Sequence, residues 1–176
     1  FNQGKHWHAY KIFGAHAHST EGVQGVLFSV WAPNADRVSV VGDFNNWDGR
    51  IHSMRSRGGS GVWELFIPDV SPGNFYRFEL RSKSGEILVK NDPFGTHFQK
   101  RPENAGIIAA ASEHLWNDGE WMSGRTEIDW QKSPMSVYEV HLGSWQQGEN
   151  GEFLNYREIA HRLAGYMLEL GFTHIE

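Results

Sequence analysis

The 176-residue chain contains no cysteine. That absence excludes disulfide staples, thiolate zinc sites and thiol nucleophiles together, and it fits a reducing compartment such as the cytoplasm. No apolar run approaches the ~20 residues needed to cross a bilayer, so no membrane partner is expected. No secretory signal is visible, and residue 1 is phenylalanine rather than methionine. Excess positive charge is also missing. Lys and Arg total 16 against 21 Asp and Glu, a formal charge of -5. Nucleic-acid recognition needs a concentrated basic surface, so that partner class is excluded.

Aromatic residues are plentiful, with 8 Trp, 5 Tyr and 11 Phe. Such residues either build a β core or offer flat faces to a ligand. The first eighteen residues read as a lead-in, followed by a turn at Glu21-Gly22. Residues 25–31 (GVLFSVW), 37–41 (RVSVV), 62–67 (VWELFI), 75–80 (FYRFEL) and 87–89 are short segments rich in β-formers, with Pro33-Asn34, Pro72-Gly73 and Ser84-Gly85 between them. Short strands at this spacing predict an antiparallel β-sandwich. Residues 105–133 change character, with isolated Trp116, Trp121 and Trp130, and read as a packed linker.

From Pro134 the pattern becomes α/β. Residues 135–142 (MSVYEVHL) form a near-continuous apolar strand ending at Gly143. Residues 155–170 then carry Tyr156, Ile159, Ala160, Leu163, Ala164, Met167 and Leu170 at helical period. Asn155 with Glu158 forms a capping-box pattern, and Gly171 stands at the C-terminal cap. Residues 172–176 begin another strand. Strand, helix, strand is the unit of a parallel α/β fold.

Three segments carry a resemblance. Trp31-Ala32-Pro33-Asn34-Ala35 leading into residues 38–47 (VSVVGDFNNW), with Asn91-Asp92-Pro93-Phe94, resembles carbohydrate-binding module family 48. Residues 137–145 (VYEVHLGSW), with Asn155-Tyr156-Arg157-Glu158 and residues 171–176 (GFTHIE), are similar to the barrel opening of branching enzymes in glycoside hydrolase family 13. The resemblance implies an immunoglobulin-like antiparallel sandwich over 1–104, the linker over 105–133, and the truncated first βα unit of a (β/α)8 TIM barrel over 134–176. A whole barrel takes ~250 residues, against the 43 from Pro134 to Glu176.

The implied activity is glycogen branching by a retaining mechanism. An aspartate attacks the anomeric carbon, a glutamate protonates the leaving glucan, and the 6-hydroxyl of an acceptor chain resolves the intermediate. Carboxyl groups ~5–5.5 Å apart suit that chemistry. In the family they come from later strands, beyond Glu176, so no catalytic residue is assigned and this chain alone is expected to be inactive. Debranching or trehalose-releasing hydrolases of the same superfamily, and a non-catalytic glycan-binding module, are the alternatives. Leu142 to Trp145 weigh against the first and the βα segment against the second.

The expected partner is an α-glucan, either glycogen or linear α-1,4-glucan. Trp47 at a loop tip can place its indole under the C–H face of a glucose ring, with Asn45 and Asn46 amides meeting hydroxyls. It can equally fold back and plug the sandwich edge. Free-standing glycan-binding members of the family pair this tryptophan with a second aromatic on a neighbouring hairpin, whereas residues 82–90 (SKSGEILVK) have none. Arg77 and Lys90 fit either sugar hydrogen bonding or ordinary strand charge. Glu139 and His141 are expected to join a polar network inside the barrel. Trp145, at the C-terminal end of its strand, is a further candidate substrate contact. His6, His8, His16 and His18 lack a carboxylate cluster at ligand spacing, so no metal is assigned, and no cofactor motif is present. Arg57-Gly58-Gly59-Ser60-Gly61 lacks the Lys-Ser/Thr of a phosphate loop and reads as a hairpin loop.

Overall fold

A computed structural model describes residues 1–110 and 114–176; residues 111–113 of the predicted linker lie outside the described residues. The chain divides into two compact units, Phe1–Glu113 and His114–Glu176.

In the first unit, strands β1 (Gly14–Thr20), β2 (Val23–Trp31), β3 (Ala35–Gly42), β4 (Arg55–Ser56), β5 (Val62–Pro68), β6 (Phe75–Ser82), β7 (Ile87–Lys90), β8 (His97–Phe98) and β9 (Gly106–Ile107) build two sheets. One sheet runs β1-β2-β5-β4 and the other β3-β6-β9-β8, with β7 also paired to β6. All of these pairings are antiparallel. The five strand segments expected from sequence are present. Two further features differ from the sequence reading. Gly14–Thr20, grouped with the lead-in, is a strand paired residue by residue with β2. Its Ala, His, Ser and Thr side chains carry little β signal of their own, and the partner strand supplies the ladder. Gly106–Ile107, grouped with the linker, pairs with Phe75–Tyr76 of β6.

The core follows the two-residue period of the strands. Val26, Phe28 and Val30 of β2, Val38 and Val40 of β3, and Tyr76 and Phe78 of β6 point inward, joined by Ile67, Met54, Val70 and Ile108. Phe28 meets the Tyr76 ring edge-on at 5.3 Å. Such aromatic contacts add ~0.5–1.5 kcal/mol beyond the area they bury.

In the second unit a short helix α1 (Gly119–Gly124) precedes β10 (Val137–Tyr138), α2 (Tyr156–Leu170) and β11 (His174–Ile175). β10 and β11 pair in parallel, with α2 as the crossover. The helix starts where expected: the Asn155 side chain accepts from the Arg157 and Glu158 N–H groups, and Glu158 accepts from the Asn155 N–H. It stops at Gly171, whose φ of 74° is left-handed. Of the predicted apolar stripe, Ile159, Leu163 and Met167 are buried against Tyr138, Val140, Trp145, Leu154 and Phe172, whereas Tyr156 at one end of the helix and Leu170 at the other are exposed. Glu139 and His141 are also exposed, in place of the expected internal network, and the His141 ring lies 2.8 Å from the Ser144 hydroxyl. No helix among the described residues is long and apolar enough to cross a membrane.

Candidate functional site

The loop that follows β3 is built from its backbone outward. Gly42 has an extended φ of -173°, so glycine is needed there for space rather than handedness. A Cβ would run into the Phe75 carbonyl and the Phe44 ring. The chain then turns through a 3-10 segment, Asp43–Asn45, and Asp43 accepts the Phe75 N–H at 3.2 Å.

Asn45, 3% exposed, is the hub of this loop. Its Oδ1 accepts the Gly42 N–H at 2.9 Å, and its Nδ2 donates to the Val40 carbonyl at 2.9 Å and to His52 Nδ1 at 2.8 Å. That last bond requires an unprotonated Nδ1, and burial pushes the His52 pKa down in the same direction. Asn45 therefore holds the loop from inside, and its amide is already committed to protein partners.

The next two residues are strained. Asn46 and Trp47 have φ of 53° and 61°, in the left-handed region that costs a non-glycine residue ~1–3 kcal/mol. The Trp47 N–H closes the turn onto the Gly42 carbonyl at 2.9 Å. Beyond it, the Arg50 side chain and backbone N–H bond Asp48 and hold its carboxyl at about 2. Trp47 is thus lifted out of the loop, 42% exposed.

Beside it lies a groove of about 350 Å³ lined by Trp47, Phe75, Arg77, Gln99 and Glu103. Phe75 and Arg77 share the outer face of β6, opposite the inward Tyr76 and Phe78. The Arg77 guanidinium sits 6.0 Å from the Trp47 ring centre and bonds the Asn104 amide oxygen. Its Nε is buried and finds no partner among the described residues. Gln99 and Glu103 arrive from the turn joining β8 to β9. An indole face, a phenyl ring, a guanidinium, an amide and a carboxylate together suit a ligand with apolar faces and a rim of hydroxyls.

Of the sequence candidates, the structure places Trp47 in this groove with the exposed Asn46 beside it in the loop, and commits Asn45 to the frame beneath. Arg77 joins the groove, whereas Lys90 is exposed on β7 and does not line it. Trp145 belongs to the other unit. It is half-buried, donates from Nε1 to the Tyr138 hydroxyl at 3.2 Å, and meets the Tyr166 ring at 5.6 Å. Phe75, Gln99 and Glu103 were not read from sequence. The outward phase of Phe75 in an alternating strand was the one available signal, and nothing local ties residues 99 and 103 to residue 47. Among the described residues no group of three or more His, Cys, Asp or Glu is placed to hold a metal ion.

Two antiparallel sheets with an aromatic loop leaving one strand end define the class, a β-sandwich module. Residues 12–95 match the family described as Carbohydrate-binding module 48 (Isoamylase N-terminal domain). The whole chain is 57% identical to a 1,4-alpha-glucan branching enzyme of Nitrosococcus oceani and 55% identical to one of Cellvibrio japonicus, and it spans 24% of the length of each. Among solved structures, the multi-modular glycogen-degrading pneumococcal virulence factor SpuA shares 18% identity at a TM-score of 0.60, over 93% of this chain and 19% of that one. The maltotriose complex of a PulA variant from Klebsiella pneumoniae shares 24% identity at a TM-score of 0.56, over 77% of this chain and 16% of that one. At these identities the two structures speak for the fold alone.

Proposed function

We propose that this chain is part of a glycogen branching enzyme, a 1,4-α-glucan-cleaving transferase that moves the cut segment to a 6-hydroxyl. The carrying observation is identity of 57% and 55% to two such enzymes across the full length of the chain. In this reading the sandwich extends through Ile108, the following stretch connects it, and the βα segment from Pro134 opens a (β/α)8 barrel. The enzyme is cytoplasmic, consistent with the cysteine-free composition. The catalytic aspartate and glutamate come from parts of the parent enzyme other than this chain.

The role of the sandwich is to touch the polymer. Trp47 stacks on a glucose ring of glycogen or linear α-1,4-glucan, with Asn46 and Arg77 at the hydroxyls. Strain supports this assignment, since a left-handed tryptophan held by a buried asparagine is costly for a residue that only plugs an edge. Trp145, whose indole N–H is already bonded within its own unit, is the weaker substrate contact.

Native electrophoresis through glycogen tests the binding role: the chain is retarded, and Trp47→Ala is retarded measurably less while its circular dichroism is unchanged. Equal mobility of both proteins, with and without glycogen, overturns it. Incubation with amylose followed by iodine staining tests the division of labour. This chain leaves the absorbance constant, and a falling absorbance would place catalysis within it.

A further inference from the structure

A larger cavity, of about 630 Å³, lies on the other side of β6 from the Trp47 groove, with Tyr10, His16, Tyr76, Phe94, Thr96 and His97 among its lining residues. Its size falls in the ~300–1,000 Å³ range of small-molecule sites. Two rings supply apolar surface. Phe94 is stacked on Phe13 at 5.3 Å, which fixes its plane, and Tyr10 is more than half exposed at the rim.

The polar wall is ordered from behind. The Tyr76 hydroxyl donates to Asp92 Oδ2 at 2.6 Å, and Asp92 Oδ1 accepts the Phe94 N–H at 2.8 Å. His16 Nε2 lies 2.9 Å from the Phe13 carbonyl, an acceptor, so this nitrogen carries a proton and donates it there. Thr96 Oγ1 and His97 Nδ1, also in the lining, are 3.0 Å apart. Among the described residues no lysine or arginine lines the cavity, and the buried Asp92 carboxyl, bonded to the Tyr76 hydroxyl, stands behind it. An anionic ligand would find no lysine or arginine among those residues to pair with. The chemistry favours a neutral ligand that combines apolar faces with several hydroxyls.

We propose that this cavity is a second carbohydrate site, separate from Trp47, that takes a short malto-oligosaccharide or the end of an α-glucan chain. Phe94 and Tyr10 carry the sugar faces, while Thr96, His97 and His16 bond its hydroxyls. The choice of an α-linked glucan rests on the proposed function; the neutral, hydroxyl-rich class rests on the cavity alone. Two sites on opposite faces of one strand would let the sandwich hold a branched polymer at two points, which raises its apparent affinity without tighter individual contacts.

Titration of the ¹⁵N-labelled chain with maltotetraose, followed by amide chemical shifts, tests this. Saturable shifts are expected at Ala17, Thr96 and His97, and they persist in Trp47→Ala. The double variant Tyr10→Ala, His97→Ala, both at exposed positions, weakens those shifts by about tenfold in Kd while the amides of β2 and β5 keep their positions. Inorganic phosphate at the same concentrations moves none of them. Three results would overturn the proposal: cavity amides that stay still, cavity shifts that vanish with Trp47→Ala, or shifts reproduced by phosphate. Shifts at the cavity with none around Trp47 would instead remove the Trp47 role and leave the cavity standing.

Discussion

The two units of this chain reach their folds by different means. The sandwich gathers twelve buried residues from segments far apart in sequence into one core, whereas the βαβ unit buries Ile159, Leu163 and Met167 of a single helix against Tyr138, Val140, Trp145, Leu154 and Phe172. The second unit instead has the stronger local signals: a complete capping box at Asn155, a left-handed Gly171 and apolar residues at helical period, of which Ile159, Leu163 and Met167 are buried. Its strands remain open, with Val137 and Ile175 near half exposure, although parallel strands are ordinarily covered on both faces. Many long-range contacts stabilise the first unit; propensity and caps carry much of the second.

This contrast can be broken at its strongest point first. Phe28→Ala removes the largest buried side chain of β2 from the sandwich core and is expected to cost ~3–5 kcal/mol, measured by urea denaturation; a loss as small as that of a surface substitution would remove the claim of a single tight core. Next in size is Tyr76→Phe, which leaves Asp92 Oδ2 without the Tyr76 donor, Oδ1 keeping the Phe94 N–H, and costs ~1–3 kcal/mol. Asn155→Ala is expected to cost ~1 kcal/mol, felt as faster amide exchange across α2 with β2 and β6 unaffected. Equal exchange protection in α2 and in β6 before any substitution would contradict the ranking of the two units.

The smallest effect is a pH dependence of the Trp47 loop. The native pKa of His52 is lowered by burial from 6.5, so the unfolded chain takes up the proton first. The stability from this group is therefore present above ~6.5 and is lost as pH falls through the lower native value. Broadening of the Trp47 indole N–H resonance on acidification, abolished in His52→Gln, is the expected signature. A resonance that holds its shape down to the carboxylate range would show that the Asn45–His52 bond does not brace the loop.

Much of the architecture was legible because alternation and caps are local. Residues 25–31, 37–41, 62–67 and 75–80 announce strands by composition, and Asn155, Glu158 and Gly171 mark both ends of α2. β1 was not legible, since GAHAHST becomes a strand through its ladder with β2 rather than through its own side chains. β9 was hidden for the same reason, being two residues of Gly and Ile paired with β6. At the site, Trp47 and Asn46 stood out as loop residues. Asn45 looked equivalent to its neighbour, and burial alone separates them.

By itself, then, the sequence determined where the strands alternate, where the helix begins and ends, and which tryptophan stands at the loop tip. Those properties follow from a few neighbouring residues, whose preferences act over one turn or one pleat. Only the tertiary structure decided that Asn45 turns inward to His52, that Phe75, Gln99 and Glu103 meet beside Trp47, and that Tyr76 and Asp92 back a second cavity. Each of these depends on which strands pair and in what register, a choice made by the burial of side chains distant in sequence.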